Sequence, residues 1–237
     1  MQTLNSSLYH DSAAKVRYLL PDQLRGLAIV LMALFHLCYD LTLFGYLTID
    51  FQHDTFWYLL PRFIVMLFMF TVGIGLWLAH HRAIRWRAYN YRLLLISANA
   101  LLISIVTWYA FREQWVYFGT LHSIALCSVL ALPFVRWPRL ALVLGAGLVI
   151  GDWGLGWSLP WWKLPHAAMD YIPPFPWLGF VLMGIAFAAW GGHQYSLNQV
   201  GRAGEGLSVI GRHSLLIYML HQPLLFGSVW LFNRLWG

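Results

Sequence analysis

Residues 22–46, DQLRGLAIVLMALFHLCYDLTLFGY, form an apolar run long enough to cross a bilayer, yet it carries Arg25, His36 and Asp40. About 20 apolar residues in a helix match the hydrocarbon thickness of a membrane. Ionisable side chains at that depth are costly unless they pair or line a wet cavity. The stretch therefore calls for an all-α membrane helix bundle with this polar stripe turned inward. The rest of the chain agrees: of 237 residues, 60% are hydrophobic and 10% charged, against about 25% charged in soluble domains. No stretch remains from which a second, water-soluble core can be built.

Further apolar runs at 56–79, 93–111, 116–135, from 140 to 159, 176–190 and 212–234 bring the expectation to about seven transmembrane helices. Pro21 and Asp22 suit the first turn of the first span, the proline because no N–H bond is lost there and the aspartate because it faces the positive end of the helix dipole. The densest basic run, HHRAIRWRAYNYR at 80–92, and RWPR at 136–139 fall in connections on one side. By the positive-inside rule that side is cytoplasmic, which sets the N-terminus inside and the C-terminus outside. The division expected is a cytoplasmic tail at 1–20 and one transmembrane domain at 21–237. Topology also accounts for the net charge of +6, so nucleic acid is not a partner, whereas the lipid bilayer is. Gly73 and Gly75 mark a place where another helix approaches closely. Cys38 and Cys127 read as buried thiols, and no metal-ligand spacing is present.

Along the first helix, Arg25 and His36 are separated by three turns and share a face, about 17 Å apart along the axis. Asp40 follows one turn on. His36 suits a general base near neutral pH, with a carboxylate nearby to orient it, and Arg25 suits phosphate. Their separation is comparable to the reach of an extended pantetheine arm, which suggests an acyl-coenzyme A with its head at the cytoplasmic mouth. The alternative is that Arg25 and Asp40 simply pair with neighbouring helices. His221, at membrane depth before Pro223, reads as a cavity residue contacting cofactor or acceptor. Arg62, His122 and Asp152 lie near the outer ends of their helices, where they line an outward substrate cavity or serve as assembly pairs. Trp177 closes a proline- and aromatic-rich connection at 160–177 suited to a lid, to stacking on a sugar or isoprenoid, or to interfacial anchoring. Arg82, Arg85 and Arg87 read either as aids to coenzyme phosphates or as topology and anionic-lipid contacts.

The runs DQLRGLAIVLMALFHLCYD, FMFTVGIGLWLAHHR (68–82) and GRHSLLIYMLHQPLL (211–225) resemble the bacterial relatives of heparan-alpha-glucosaminide N-acetyltransferase. The resemblance covers residues 18–230 and extends more loosely to membrane acyltransferases that modify surface polysaccharides. It implies an integral protein of a bacterial inner membrane that moves an acetyl group from cytoplasmic acetyl-CoA to a sugar amine or hydroxyl on the outer side, including a lipid-linked acceptor. Arg25, Gly26, His36 and Asp40 match the opening motif, and His213, Ser214, Tyr218 and His221 the closing one. In the lysosomal enzyme the histidine proposed for catalysis lies in the connection to the second span, and by spacing its counterpart here is His53. The reading of the residues and the resemblance together give His36, Asp40 and His53 as catalytic and Arg25, Gly26, Arg82 and His221 as cofactor-binding. Two other classes stand beside it: a proton-coupled transporter or flippase using the same intramembrane His and Asp, and a b-type haem protein ligated by His36, His122 and His221. A homo-oligomer is left open.

Overall fold

The structure, a computed structural model, describes residues 17–197 and 201–236, so most of the proposed 1–20 tail lies outside the described residues. Helix α1 (Leu20–Leu43) has Pro21 in its first turn, and α2 (Thr55–His80) is capped by the Asp54 carboxylate, which accepts the Phe56 N–H at 2.9 Å. Helix α3 spans Trp86–Ala110. Helix α4 (Thr120–Ala131) tightens into a 3₁₀ turn over Leu132–Arg136, where Pro133 can donate no backbone bond. Pro138 then opens α5 (Pro138–Val149), which widens into a π turn at Ile150–Gly154. Helices α6 (Trp177–Ala189), α7 (Arg202–Arg212) and α8 (Ser214–Trp236) complete the chain.

The fold is all-α, and among the described residues four helices, α1, α2, α3 and α8, are long and apolar enough to cross a membrane. Apolar side chains on α3 and α8 face outward, among them Leu94, Leu101, Leu216 and Leu224, as a lipid-facing shell requires. Helix α6 behaves differently. At 13 residues it is about 20 Å long, short of the roughly 30 Å hydrocarbon layer. It sits inside the bundle against α2, α4 and α5, with Val181, Ile185, Ala186 and Ala188 wholly buried. A helix wrapped by protein need not match the membrane, because its ends meet other backbone rather than lipid.

Close approach fixes the two tightest pairs. A side chain at Gly73 would begin 1.9 Å from the Val181 carbonyl oxygen on α6, and one at Gly184 2.1 Å from that of Phe70 on α2. Helix α1 meets α7 in the same way, through Gly26 against Leu207 and Gly211 against Asp22. In membranes such small-residue contacts replace the hydrophobic drive that lipid removes. The sequence reading differs at two places. Residues 191–211 read as a polar connection, but Arg202–Arg212 is an amphipathic helix laid along α1. The basic connection at 80–92 is shorter than expected because α3 already begins at Trp86.

The 160–177 connection is pinned rather than loose. Its backbone bonds to the segment entering α4, Met169 N–H to Gln114 at 2.9 Å and Ile172 N–H to Phe118 at 3.0 Å. Asp170 then accepts the Thr120 N–H at 2.7 Å and its hydroxyl at 3.1 Å, placing a carboxylate at the N-terminus of α4, where the helix dipole favours it.

Candidate active site

Helix α1 runs unbroken through Arg25, His36 and Asp40, so the expected stripe is real, and each member meets a different partner. Arg25 lies near the start of the helix, donating to Asp22 and to the Thr71 carbonyl, both at 3.4 Å. Asp22 is already shared: Arg17 reaches it at 2.7 Å and Arg212 at 3.9 Å. Arg92, from α3, converges on the same place, since Arg25 and Arg92 nitrogens both lie 3.2 Å from where a side chain at Gly75 would begin. Among the described residues Arg92 has no carboxylate partner. Gly75 therefore makes room for two guanidinium groups rather than for a helix.

Three turns further along α1, the His36 ring meets the His221 ring of α8, with centroids 4.9 Å apart and planes 60° from parallel. The His221 Nδ1 bonds the Tyr218 carbonyl oxygen at 2.6 Å. A carbonyl only accepts, so Nδ1 carries the proton and the neutral ring presents a bare lone pair at Nε2. That nitrogen is buried and has no partner. His36 makes no hydrogen bond among the described residues and rests edge-on against Phe35 and His221. The result is a base-bearing pair of half-buried imidazoles.

Asp40 does not reach His36 as the sequence suggested. It is 1% exposed and accepts from Gln222 Nε2 at 3.1 and 3.4 Å, while Gln222 Oε1 is buried without a partner. This pair joins α1 to α8 one turn beyond the histidines. Gln222→Leu is expected to destabilise the protein by about 1–3 kcal/mol, because it strands a buried carboxylate. Asp40→Asn should cost little or nothing, since its new amide can donate to the free Oε1. Thermal unfolding of both variants in detergent checks the difference.

The other sequence candidates do not converge on one cavity. His53 is 82% exposed in the α1–α2 connection, its Nδ1 2.8 Å from Asp50. Backbone N–H groups of His53 and Gln52 hold the Asp50 carboxyl below its ordinary range, so the pair is a hydrogen-bonded His–Asp couple facing solvent. Arg62 stacks on Tyr58, 3.5 Å from its centroid, and donates to that residue's carbonyl. His122 Nδ1 accepts the Gly119 N–H at 3.2 Å, so its proton sits on Nε2, 3.2 Å from Ser104, whose hydroxyl donates to Val116 at 2.7 Å. That chain satisfies the start of α4 and leaves His122 no open position. Asp152, in the π turn, makes no hydrogen bond or ion pair among the described residues. Trp177 is 7% exposed and meets Trp153 edge-on at 5.6 Å, so its ring is taken up by packing. Gly26 faces Leu207 of α7, Arg82 is exposed beyond α2, and Cys38 and Cys127 are free thiols. The imidazole rings of His36 and His221 touch, leaving no space for a macrocycle between them.

Two residues the sequence reading passed over belong to the site. Arg92 was one basic residue among several, and only the early start of α3 reveals its face. Asp170 stands alone as an acid among prolines and aromatics. Burial pushes its carboxyl up, against the Thr120 bonds that lower it, and Asp170 and Thr120 both lie close to the hydroxyl of Tyr218, one turn before His221. The 160–177 connection is thereby set beside the helix that holds the histidine.

Residues 17–223 match the family described as heparan-alpha-glucosaminide N-acetyltransferase, catalytic. No curated protein and no solved structure matches the chain.

Proposed function

The chain belongs to the heparan-alpha-glucosaminide N-acetyltransferase catalytic family and is a membrane-embedded acetyltransferase with acetyl-CoA as its donor; we propose that it passes the acetyl group to a sugar amine or hydroxyl on the outer side, with the His36–His221 pair taking the acceptor's proton. The buried, unpartnered Nε2 of His221 beside His36 carries this reading. A nitrogen whose tautomer is fixed by its own helix is ready to accept a proton without first giving one up. Acetyl-CoA supplies an acetyl group activated as a thioester. The residues present fit a donor that carries phosphates: Arg25 has only a shared carboxylate in Asp22, and Arg92 has no carboxylate among the described residues.

The arginine-rich end, with Arg17, Arg25, Arg92 and Arg212, is then the cytoplasmic end of a bacterial inner-membrane protein. Counting α1 to α6 and α8 as crossings gives seven, with α7 lying across the inner end of α1. Arg25 holds the donor's phosphates there, and His36 lies about 17 Å deeper along the same helix. The acceptor meets the pair from the opposite end. There Tyr117, Trp162 and Tyr171 cluster with ring centroids 5.4 and 5.5 Å apart around Tyr117, a surface suited to a sugar face. Asp170 and Tyr218 act as positioning residues that keep this aromatic segment in register with His221.

Sealed vesicles containing the purified protein test the proposal. With acetyl-labelled CoA supplied on the arginine-rich side only, label is expected on an amino-sugar acceptor enclosed on the other side. Label that reaches the far side only as unreacted coenzyme would overturn it in favour of a transporter.

A further inference from the structure

We propose that the cleft between the last turns of α2 and the first turns of α3 is a phosphate-binding pocket held by Arg85 and Arg92. The cavity there measures about 140 Å³ and is lined by Leu76, His80, Arg85, Tyr89, Arg92 and Ser128. On that measure one water needs about 10–15 Å³, so the space admits a phosphate group. Arg85, Tyr89 and Arg92 stand at i, i+4 and i+7 and therefore share one face of the α3 start. Its lining contains no carboxylate. His80 accepts the Arg85 backbone N–H through Nδ1 at 3.2 Å, which leaves its ring proton on Nε2 as another donor.

Two further observations point to an anionic ligand. The Tyr89 side chain, 7% exposed, keeps a buried hydroxyl in the cavity wall with no partner in the protein. Arg92 also faces Arg25 across Gly75, both 3.2 Å from the same point. Asp22 is the carboxylate nearest Arg25 and is shared with Arg17 and Arg212, and the C-terminal dipole of α2 offers only about half a negative charge, which cannot balance Arg85 and Arg92 together. A phosphate accepts several hydrogen bonds and brings the missing charge, and arginine is the side chain best shaped to hold it.

The phosphate belongs either to the nucleotide part of the donor, which rests on the acetyltransferase reading, or to a phospholipid headgroup. Calorimetric titration of the purified protein with coenzyme A and with dephospho-coenzyme A, alongside native mass spectrometry after exchange into phosphatidylglycerol nanodiscs, separates these sources. If the pocket holds the coenzyme, Arg92→Gln and Arg85→Gln weaken coenzyme A binding roughly tenfold or more, and Tyr89→Phe weakens it less. If it holds lipid, coenzyme A binding is unchanged and the variants lose retained phosphatidylglycerol. Should the wild type bind no coenzyme A, the donor reading fails, while the lipid measurement still decides the pocket. Variants that melt like the wild type and keep both coenzyme affinity and lipid retention would overturn the proposal; Tyr89→Phe removes only a hydroxyl that bonds nothing in the protein, so at least one variant folds.

Discussion

His221→Ala is expected to lower acetyl transfer about 10²- to 10⁴-fold, the usual worth of a positioned proton acceptor, with the melting temperature close to that of the wild type. Among the described residues the ring's hydrogen bond runs from Nδ1 to the Tyr218 carbonyl within its own helix, and its Nε2 has no partner, so its removal breaks no hydrogen bond between helices. His36→Ala should lower transfer similarly, and the double variant should be little worse than either single one, because groups that act as a unit are not additive. His221→Gln discriminates further: its amide can still touch His36 but accepts a proton poorly, so it should be as inactive as alanine. Coenzyme A affinity measured on the same preparations separates chemistry from binding, and should be unchanged. If His53→Ala abolishes transfer while His221→Ala keeps it, the exposed His–Asp couple in the α1–α2 connection is the reacting group instead.

This contrast shows what the sequence could and could not carry. The stripe on α1 was legible because a helix of fixed rise and rotation places residues 25, 36 and 40 on one face whatever surrounds them. The partners were not, since they come from distant segments. Asp40 read as the orienter of His36 because it lies one turn away, yet Gln222, 182 positions later, takes its carboxylate. His122 read as a substrate or assembly residue because it lies near the outer end of its helix, yet its two nitrogens close the start of α4. Boundary errors mattered as well. Treating 80–92 as a connection scattered its arginines, whereas a helix from Trp86 aligns Arg85 and Arg92 on one side. Helix α7 escaped notice because three glycines and several polar residues made 191–211 read as a connection, although its few apolar residues share one face; Gly204 and Gly211 let it lie against α1.

Gly26→Ala tests that last contact and is expected to lower stability by about 1–3 kcal/mol, the typical cost of overfilling a close-packed interface. The new methyl would begin 1.9 Å from the Leu207 carbonyl oxygen, and backbone on both helices cannot rotate out of the way as a side chain can. Gly211, whose side chain would begin 1.7 Å from the Asp22 carbonyl oxygen, holds α7 from the other side. Gln23 also clamps the pair, accepting the Leu197 N–H at 2.8 Å and donating to the Gly204 carbonyl at 3.2 Å. Pushing the helices apart would displace Asp22 from Arg212 and shift Arg25 with it, so coenzyme affinity should fall along with the melting temperature. Gly206→Ala is the control. It sits on α7 with nothing within 4 Å, and there the substitution should stabilise by up to about 1 kcal/mol through helix propensity alone. A Gly26→Ala protein that melts like the wild type but binds coenzyme A less well would show instead that this glycine touches the ligand, as its place in the opening motif first suggested.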